Sequence, residues 1–264
     1  MPEDQDGPII QPVELTMRIF ECLASSGGEK GVTEIARELS ATKPRIYRHL
    51  QTLRQLGYVT HSPATRKYRI GMRTHLLAKM VGDDVELTPA IRPAMETLRD
   101  QTTQTSVFAS VLDGKMTIID FAMGTTLVQY AFRPGATFSL HSSSLGHISL
   151  AFGPDEYWDY LESEQFAPAT PKSITDISDL KPYVRKAKAR GWAIVPEGAV
   201  VGVNAIAAPV FYHDANFAGA VAIVGSVQHI PADPPPEMVN AVIDAARQAS
   251  RNLGWRPEID VNAR

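Results

Sequence analysis

Three runs of apolar residues at helical spacing open the chain, and two short alternating segments follow them. Val13, Met17, Phe20 and Ala24 recur at intervals of three and four, with Cys22 and Leu23 on the same flank, which predicts a helix with that face inward. Gly27, Gly28 and Gly31 end it. Val32, Ile35, Ala36 and Leu39 predict a second helix, with Thr33 and Glu34 placed to cap its start. Ser40-Ala41-Thr42 makes a three-residue turn. Pro44 suits the first turn of a third helix, where its missing N–H would have no intrahelical acceptor anyway. Ile46, Leu50, Leu53 and Leu56 form the inward stripe of that helix, and Gly57 stops it. Residues 58–61 and 67–70 then read as short strands around the turn Ser62-Pro63-Ala64-Thr65.

Residues 72–81 carry Leu76, Leu77, Met80 and Val81 at helical spacing and predict a connecting helix that runs out near Gly82-Asp83-Asp84. Thr88-Pro89 opens another helix, with Ile91, Met95 and Leu98 inward. Apolar segments at 106–112, 116–122 and 127–132 predict strands, the first two joined by a tight Asp113-Gly114 turn. Helical patterns cover 145–152, 156–162 and 179–190; strands return at 192–195, 205–211 and 217–224; a last helix spans 236–253. Hairpin-like strands with helices between and beyond them indicate an α+β domain around an antiparallel sheet. The expected organisation is a tail over 1–11, a winged helix-turn-helix over 12–71, a linker helix over 72–87, an α+β domain over 88–254 and a tail over 255–264.

Composition changes this picture in one respect. The chain of 264 residues has a net charge of −3, yet between Glu38 and Asp83 no acidic residue occurs. Nine lysines and arginines, from Lys43 to Lys79, fall in that window. So uneven a distribution points to a polyanionic partner for the basic part. The outward face of the third helix supplies the chemistry: Lys43, Arg45, Tyr47, Arg48, His49 and Thr52 surround its N-terminal half. A helix, a short turn and a helix with outward donors are what entry into a major groove requires. Arginine there can pair with guanine or grip phosphate. Arg66, Lys67 and Arg69 place cations on the wing, suited to phosphate or minor-groove contact. The partner expected is double-stranded operator DNA, read by a homodimer or a dimer of dimers.

Other classes fare worse. No run of 18 apolar residues is present, and the acidic N-terminus lacks the cations of a secretory signal, so a cytoplasmic location away from membranes is expected. The lone Cys22 reads as a small core hydrophobe. Ser142, Ser143 and Ser144 near His141 and His147 suggest acyl transfer, but no Gly-x-Ser-x-Gly elbow surrounds them and no third residue is identifiable. His141 and His147 do not have the i, i+4 spacing of a helical metal pair. No catalytic residue, metal or cofactor is assigned.

The segments Ile35-Ala36-Arg37-Glu38-Leu39, 43–56, Gly57-Tyr58-Val59 and Tyr68-Arg69-Ile70-Gly71 resemble the winged helix of the isocitrate-lyase-regulator (IclR-type) family. That family commonly opens its recognition helix with a serine-threonine pair, where this chain has Pro44-Arg45. Arg133-Pro134-Gly135, 141–146, Thr175-Asp176, Arg190-Gly191-Trp192-Ala193, Gly202 and Ala207-Ala208-Pro209-Val210 resemble its effector domain, so the likeness covers about residues 13–254. The resemblance implies a GAF-like domain with a six-stranded antiparallel sheet, and a small effector held beneath the segment 141–150. The backbone at Ser144 and Leu145 would then lie at a helix N-terminus, which favours an anion; helix capping is the other reading of the three serines.

In family members that bind small keto acids, an aspartate, a cysteine and two serines surround the ligand. By position these become Val195, Ala205, Ala222 and Val224, and the usual lysine becomes His147. An apolar wall leaves a tiny polar acid under-bonded and rewards a buried ring. The expected effector is therefore an aromatic acid or a derivative. Phe108, Phe121 or Trp192 would supply ring contact, and Ser142, Ser143, His147 or Asn204 polar contact. The alternatives left open are a regulator without a ligand response, with the pocket collapsed, and a hydrolase built on 141–147.

Overall fold

The computed structural model describes residues 9–26, 28–81, 87–163 and 166–256. The chain divides between Glu86 and Leu87 into two compact units.

In the first unit, α1 (Gln11–Ser25), α2 (Val32–Glu38) and α3 (Lys43–Gln55) precede the hairpin β1 (Val59–His61) and β2 (Tyr68–Ile70), and α4 (Met72–Val81) follows. Ile35, Ile46, Leu50 and Val59 are buried together with Leu15, Ile19, Cys22 and Leu23 of α1. The inward face of α1 is thus not the one its first pattern suggested. Val13 and Met17 are 57 % and 51 % exposed. Two apolar stripes overlap on this helix, and the one containing Ile19 meets α3 and β2. The cap of α2 also differs: the Glu34 carboxylate accepts the Gly31 N–H at 2.7 Å, and Thr33 is exposed. Leu56 lies beyond the last helical turn, where Gly57 takes a φ of +80°, and its side chain is half exposed. At the base of the wing, Gly71 donates to the Tyr58 carbonyl at 2.7 Å.

The second unit contains α5 (Leu87–Thr102), β3 (Thr105–Leu112), β4 (Lys115–Ala122), β5 (Thr137–Phe138), α6 (Ser144–Phe152), α7 (Glu156–Ser163) and α8 (Ile177–Arg190). They are followed by β6 (Ala193–Ile194), β7 (Val203–Phe211), β8 (Phe217–Ser226) and α9 (Pro236–Asn252). The six strands form one antiparallel sheet in the order β5-β4-β3-β8-β7-β6. One face carries Phe108, Ile206, Ala208, Val221 and Ile223 and is covered by α5 and α9. The other carries Val107, Ala109, Ala207, Ala222 and Val224 and is covered by α6, α7 and α8. Burial of both faces explains why β7 and β8 read as continuous apolar runs rather than alternating ones.

Residues 127–132 are not the expected strand. The Gly135 N–H donates to the Ile118 carbonyl and the Ile118 N–H to the Ala136 carbonyl, both at 2.8 Å. The edge of β4 is therefore taken by the segment beginning at Gly135, and 127–132 is left as a loop. At the other end Trp255 is not tail: its ring lies 5.6 Å from that of Phe211. The expected N-terminal tail up to residue 8, the linker residues 82–86 and the tail from 257 fall outside the described residues.

Candidate functional site

In the first unit, Ile46, Leu50 and Leu53 turn α3 inward and leave Lys43, Tyr47, Arg48 and Thr52 exposed, with Arg45 partly so. The structure divides the expected contact residues into engaged and free. Thr52 donates its hydroxyl to the Arg48 carbonyl of its own helix at 3.2 Å. His49 is held at 2.7 Å by the Thr16 hydroxyl of α1. Burial, and then the charges of Arg45 and Arg48, push its pKa down, so at neutral pH it is no cation. On the wing Lys67 faces Glu34 at 3.8 Å and Arg69 donates to Thr60 at 3.3 Å. Among the described residues no ion pair or side-chain hydrogen bond holds Lys43, Arg45, Arg48 or Arg66. Arg66 sits at the wing turn with a φ of +55°, a conformation set by the turn and not by its side chain.

The second unit holds a cavity of about 240 Å³. Its floor is the sheet face carrying Val107, Ile118, Ala205 and Val224; one end is the start of α6; the sides are the loops 129–132 and 195–203. Ser142, Ser143, Ser144, Leu145, Val195 and Asn204 also lie on its wall. Five expected contacts do not. Strand parity sends Phe108 to the opposite sheet face, and Trp192 belongs to that same cluster, stacked under the Arg190 guanidinium at 3.5 Å. Phe121 stands behind Phe132, with ring centroids 6.4 Å apart. Ala222 is packed under the helices beside the wall. His147 is turned away, with its Nε2 2.9 Å from the His141 carbonyl oxygen.

The polar groups around the cavity mostly serve the fold. Ser143 caps α6, accepting the Gly146 N–H at 3.0 Å and donating to the Ser139 carbonyl at 3.1 Å. Asn204 is spent as well: Oδ1 accepts the Glu197 N–H at 2.8 Å and Nδ2 donates to the Ile230 carbonyl at 2.7 Å. It holds a wall whose keystone is Glu197, at a φ of +52°. The Glu197 carbonyl accepts the Thr170 hydroxyl at 2.7 Å, and its carboxylate accepts the Gly202 N–H at 2.9 Å and pairs with Lys172. Lys172, with that N–H second, keeps the Glu197 carboxyl below its usual range. Sequence reasoning missed Val107, Ile118, Gln129, Tyr130, Phe132, Phe138, Ala199, Val200 and Val203 as wall residues. Parity with Val224 across β3 and β8 is the signal that points to Val107.

A carbonyl only accepts, so His147 carries its proton on Nε2. Burial pushes its pKa down from 6.5 to about 4. Between those values the unfolded chain binds a proton that the folded chain does not, so stability falls as pH drops from about 6.5 towards about 4. The loss at this site reaches roughly 3 kcal/mol. Urea titrations at pH 7 and pH 5 should show a smaller loss in His147→Gln than in the wild type; equal losses in both would refute this.

The comparisons with known proteins bear on both units. Residues 13–63 match the model of the IclR helix-turn-helix domain, and residues 80–251 that of the bacterial transcriptional regulator IclR C-terminal domain. The chain is 29 % identical over 256 residues to the glycerol operon regulatory protein of Streptomyces griseus, covering 93 % of this chain and 97 % of that one. To the DNA-binding transcriptional repressor YiaJ of Escherichia coli it is 26 % identical over 251 residues, covering 94 % and 89 %. The crystal structure of an IclR homolog complexed with 4-hydroxybenzoate, from Microbacterium hydrocarbonoxydans, aligns with a TM-score of 0.79 at 19 % identity, covering 92 % and 98 %.

Proposed function

The chain belongs to the IclR family of DNA-binding transcriptional regulators, with an effector-binding domain, and on that premise we propose that it is a repressor of a catabolic operon released or held by an aromatic acid. It is a regulator and not an enzyme. The observation that carries the effector reading is the cavity, with its apolar floor and the start of α6 at one end. Drug-sized ligands fill pockets of about 300 Å³ and upward, so a space of about 240 Å³ suits a molecule of one ring. Val107, Ile118, Val195 and Val224 gain from burying that ring. The carboxylate meets the N–H groups of Ser144 and Leu145 in the first turn of α6, which have no acceptor within the helix. A neighbour of the same fold in complex with 4-hydroxybenzoate supports a ligand of this class.

The regulator acts as a dimer. In the first unit Met17 on α1 and Met72, Leu76 and Leu77 on α4 are about half exposed or more, and apolar stripes of this kind mark association surfaces.

Thermal shift and operator titration test the effector. With 4-hydroxybenzoate in large excess, a bound state should raise the melting temperature of the effector domain and change operator affinity. Glyoxylate, which the apolar wall leaves under-bonded, should do neither. A response to glyoxylate with silence from a panel of aromatic acids would sink the reading, and silence from both would leave a regulator without a ligand.

A further inference from the structure

Ser144 stands at the first position of α6, on the cavity wall, and is 3 % exposed. Its hydroxyl oxygen is buried and has no hydrogen-bond partner among the described residues. The adjacent hydroxyl of Ser143 is already engaged on both sides, as cap and as donor. A buried hydroxyl left unpaired is disfavoured until an acceptor reaches it. The backbone N–H groups of Ser144 and Leu145 need an acceptor at the same end of the helix. The dipole of α6 adds a partial positive charge there.

The rest of the cavity lacks charge. Among the described lining residues there is no lysine, arginine, histidine, aspartate or glutamate. Apart from the serines the polar side chains are Gln129, Tyr130 and Asn204, and Asn204 is consumed in holding Glu197 and Ile230. One end of the cavity therefore offers two backbone N–H groups that can only donate and a hydroxyl free to join them, and nowhere does the cavity offer a full countercharge.

We infer that the Ser144 hydroxyl is a specificity-determining donor that, with the start of α6, admits ligands bearing one carboxylate and rejects both their neutral carboxamides and their dianionic analogues. This rests on the reading of the cavity as the effector site. A carboxylate is acceptor-only and can take all three donors. A carboxamide has one acceptor oxygen in place of two and no charge for the α6 dipole, and any approach of its NH2 group to the two backbone N–H groups sets donor against donor, the mismatch that gives polar sites their selectivity. A second carboxylate would be stripped of water with no cation to receive it.

The test is titration calorimetry of the full chain with 4-hydroxybenzoate, 4-hydroxybenzamide and terephthalate, in the wild type and in Ser144→Ala. For the wild type the amide and the dianion should bind about tenfold or more weaker than the acid. Ser144→Ala should weaken the acid about tenfold and change the amide by about twofold or less. A thermal melt establishes that the variant is folded; should it not fold, Ser144→Gly, which keeps both backbone donors, takes its place. If the variant binds the acid as the wild type does, or the wild type takes the amide or terephthalate as tightly as the acid, the inference is overturned and the effector reading stands. If the wild type binds none of the three, the effector reading falls and takes the inference with it.

Discussion

Alanine in place of Gly146 is expected to destabilise the effector domain by about 3 kcal/mol or more and to abolish the ligand response. A Cβ at Gly146 would lie 2.2 Å from the Leu140 carbonyl oxygen, 2.5 Å from its Cα and 2.6 Å from its carbonyl carbon. These are backbone atoms, and their segment has no room to retreat. Leu140 is fully buried. Ser143 is bonded to the Ser139 carbonyl, and the His141 carbonyl to His147, at 3.1 and 2.9 Å. Relief must come from moving the start of α6, which carries the Ser144 and Leu145 N–H groups out of place. A melting temperature lower by several degrees and no heat with 4-hydroxybenzoate are the expected readings. DNA binding, which uses the other unit, should persist below the new melting point. Wild-type melting and wild-type ligand affinity in Gly146→Ala would contradict this account of the site.

How much of this was legible beforehand depended on which physical rule decided each element. Helix and strand positions followed from periodicity because both cores are continuous. Even so, periodicity could not choose between the two stripes of α1: Val13 with Met17, and Leu15 with Ile19, are spaced alike. Only contact with α3 and β2 buries the second. The strand expected at 127–132 failed for a related reason. Its residues have strand composition, but the edge of β4 accepts the segment from Gly135 instead. Phe108 was placed on the wrong face because a sheet buried on both sides has no polar face to reveal parity. His49 and Asn204 show a further limit. As residue types they belong on a contact surface, and their hydrogen bonds to Thr16 and to the Glu197 loop withdraw them from it. The apolar character of the cavity wall was legible at Val195, Ala205 and Val224, because there it depends on residue type alone.

Loss of the Arg48 side chain is expected to weaken binding to the selected operator by about 1–3 kcal/mol if Arg48 reads a base. Side-chain partners within the first unit decide which cations can reach DNA. Lys67, Arg69 and Thr52 have partners within the first unit, and His49 is neutral and held by α1. Of the expected contact residues, Arg45, Arg48 and Lys43 on α3 and Arg66 on the wing are the cations without a side-chain partner among the described residues. Arg48 sits one turn into an exposed face bordered by Tyr47, which is 50 % exposed. Its loss should therefore be specific, large for the operator and small for random duplex. Arg66 occupies the wing turn, so Arg66→Ala should weaken all duplexes alike and lower the dependence of log K on log salt by about 0.9 for each phosphate contact removed. Lys67→Ala and Arg69→Ala should do less than either. A dimer presents two copies of α3, so the protected sequence should hold two related half-sites about one helical turn apart, or a multiple of that. The measurement is mobility-shift titration at two salt concentrations, on a duplex enriched from a random library by the full chain, with light scattering on the free protein. Unchanged operator affinity in the Arg48→Ala, Arg66→Ala double variant would mean that α3 and the wing are not the DNA contact. A stable monomer with a single short footprint would remove the symmetric half-site model, because one winged helix alone then accounts for the protected bases.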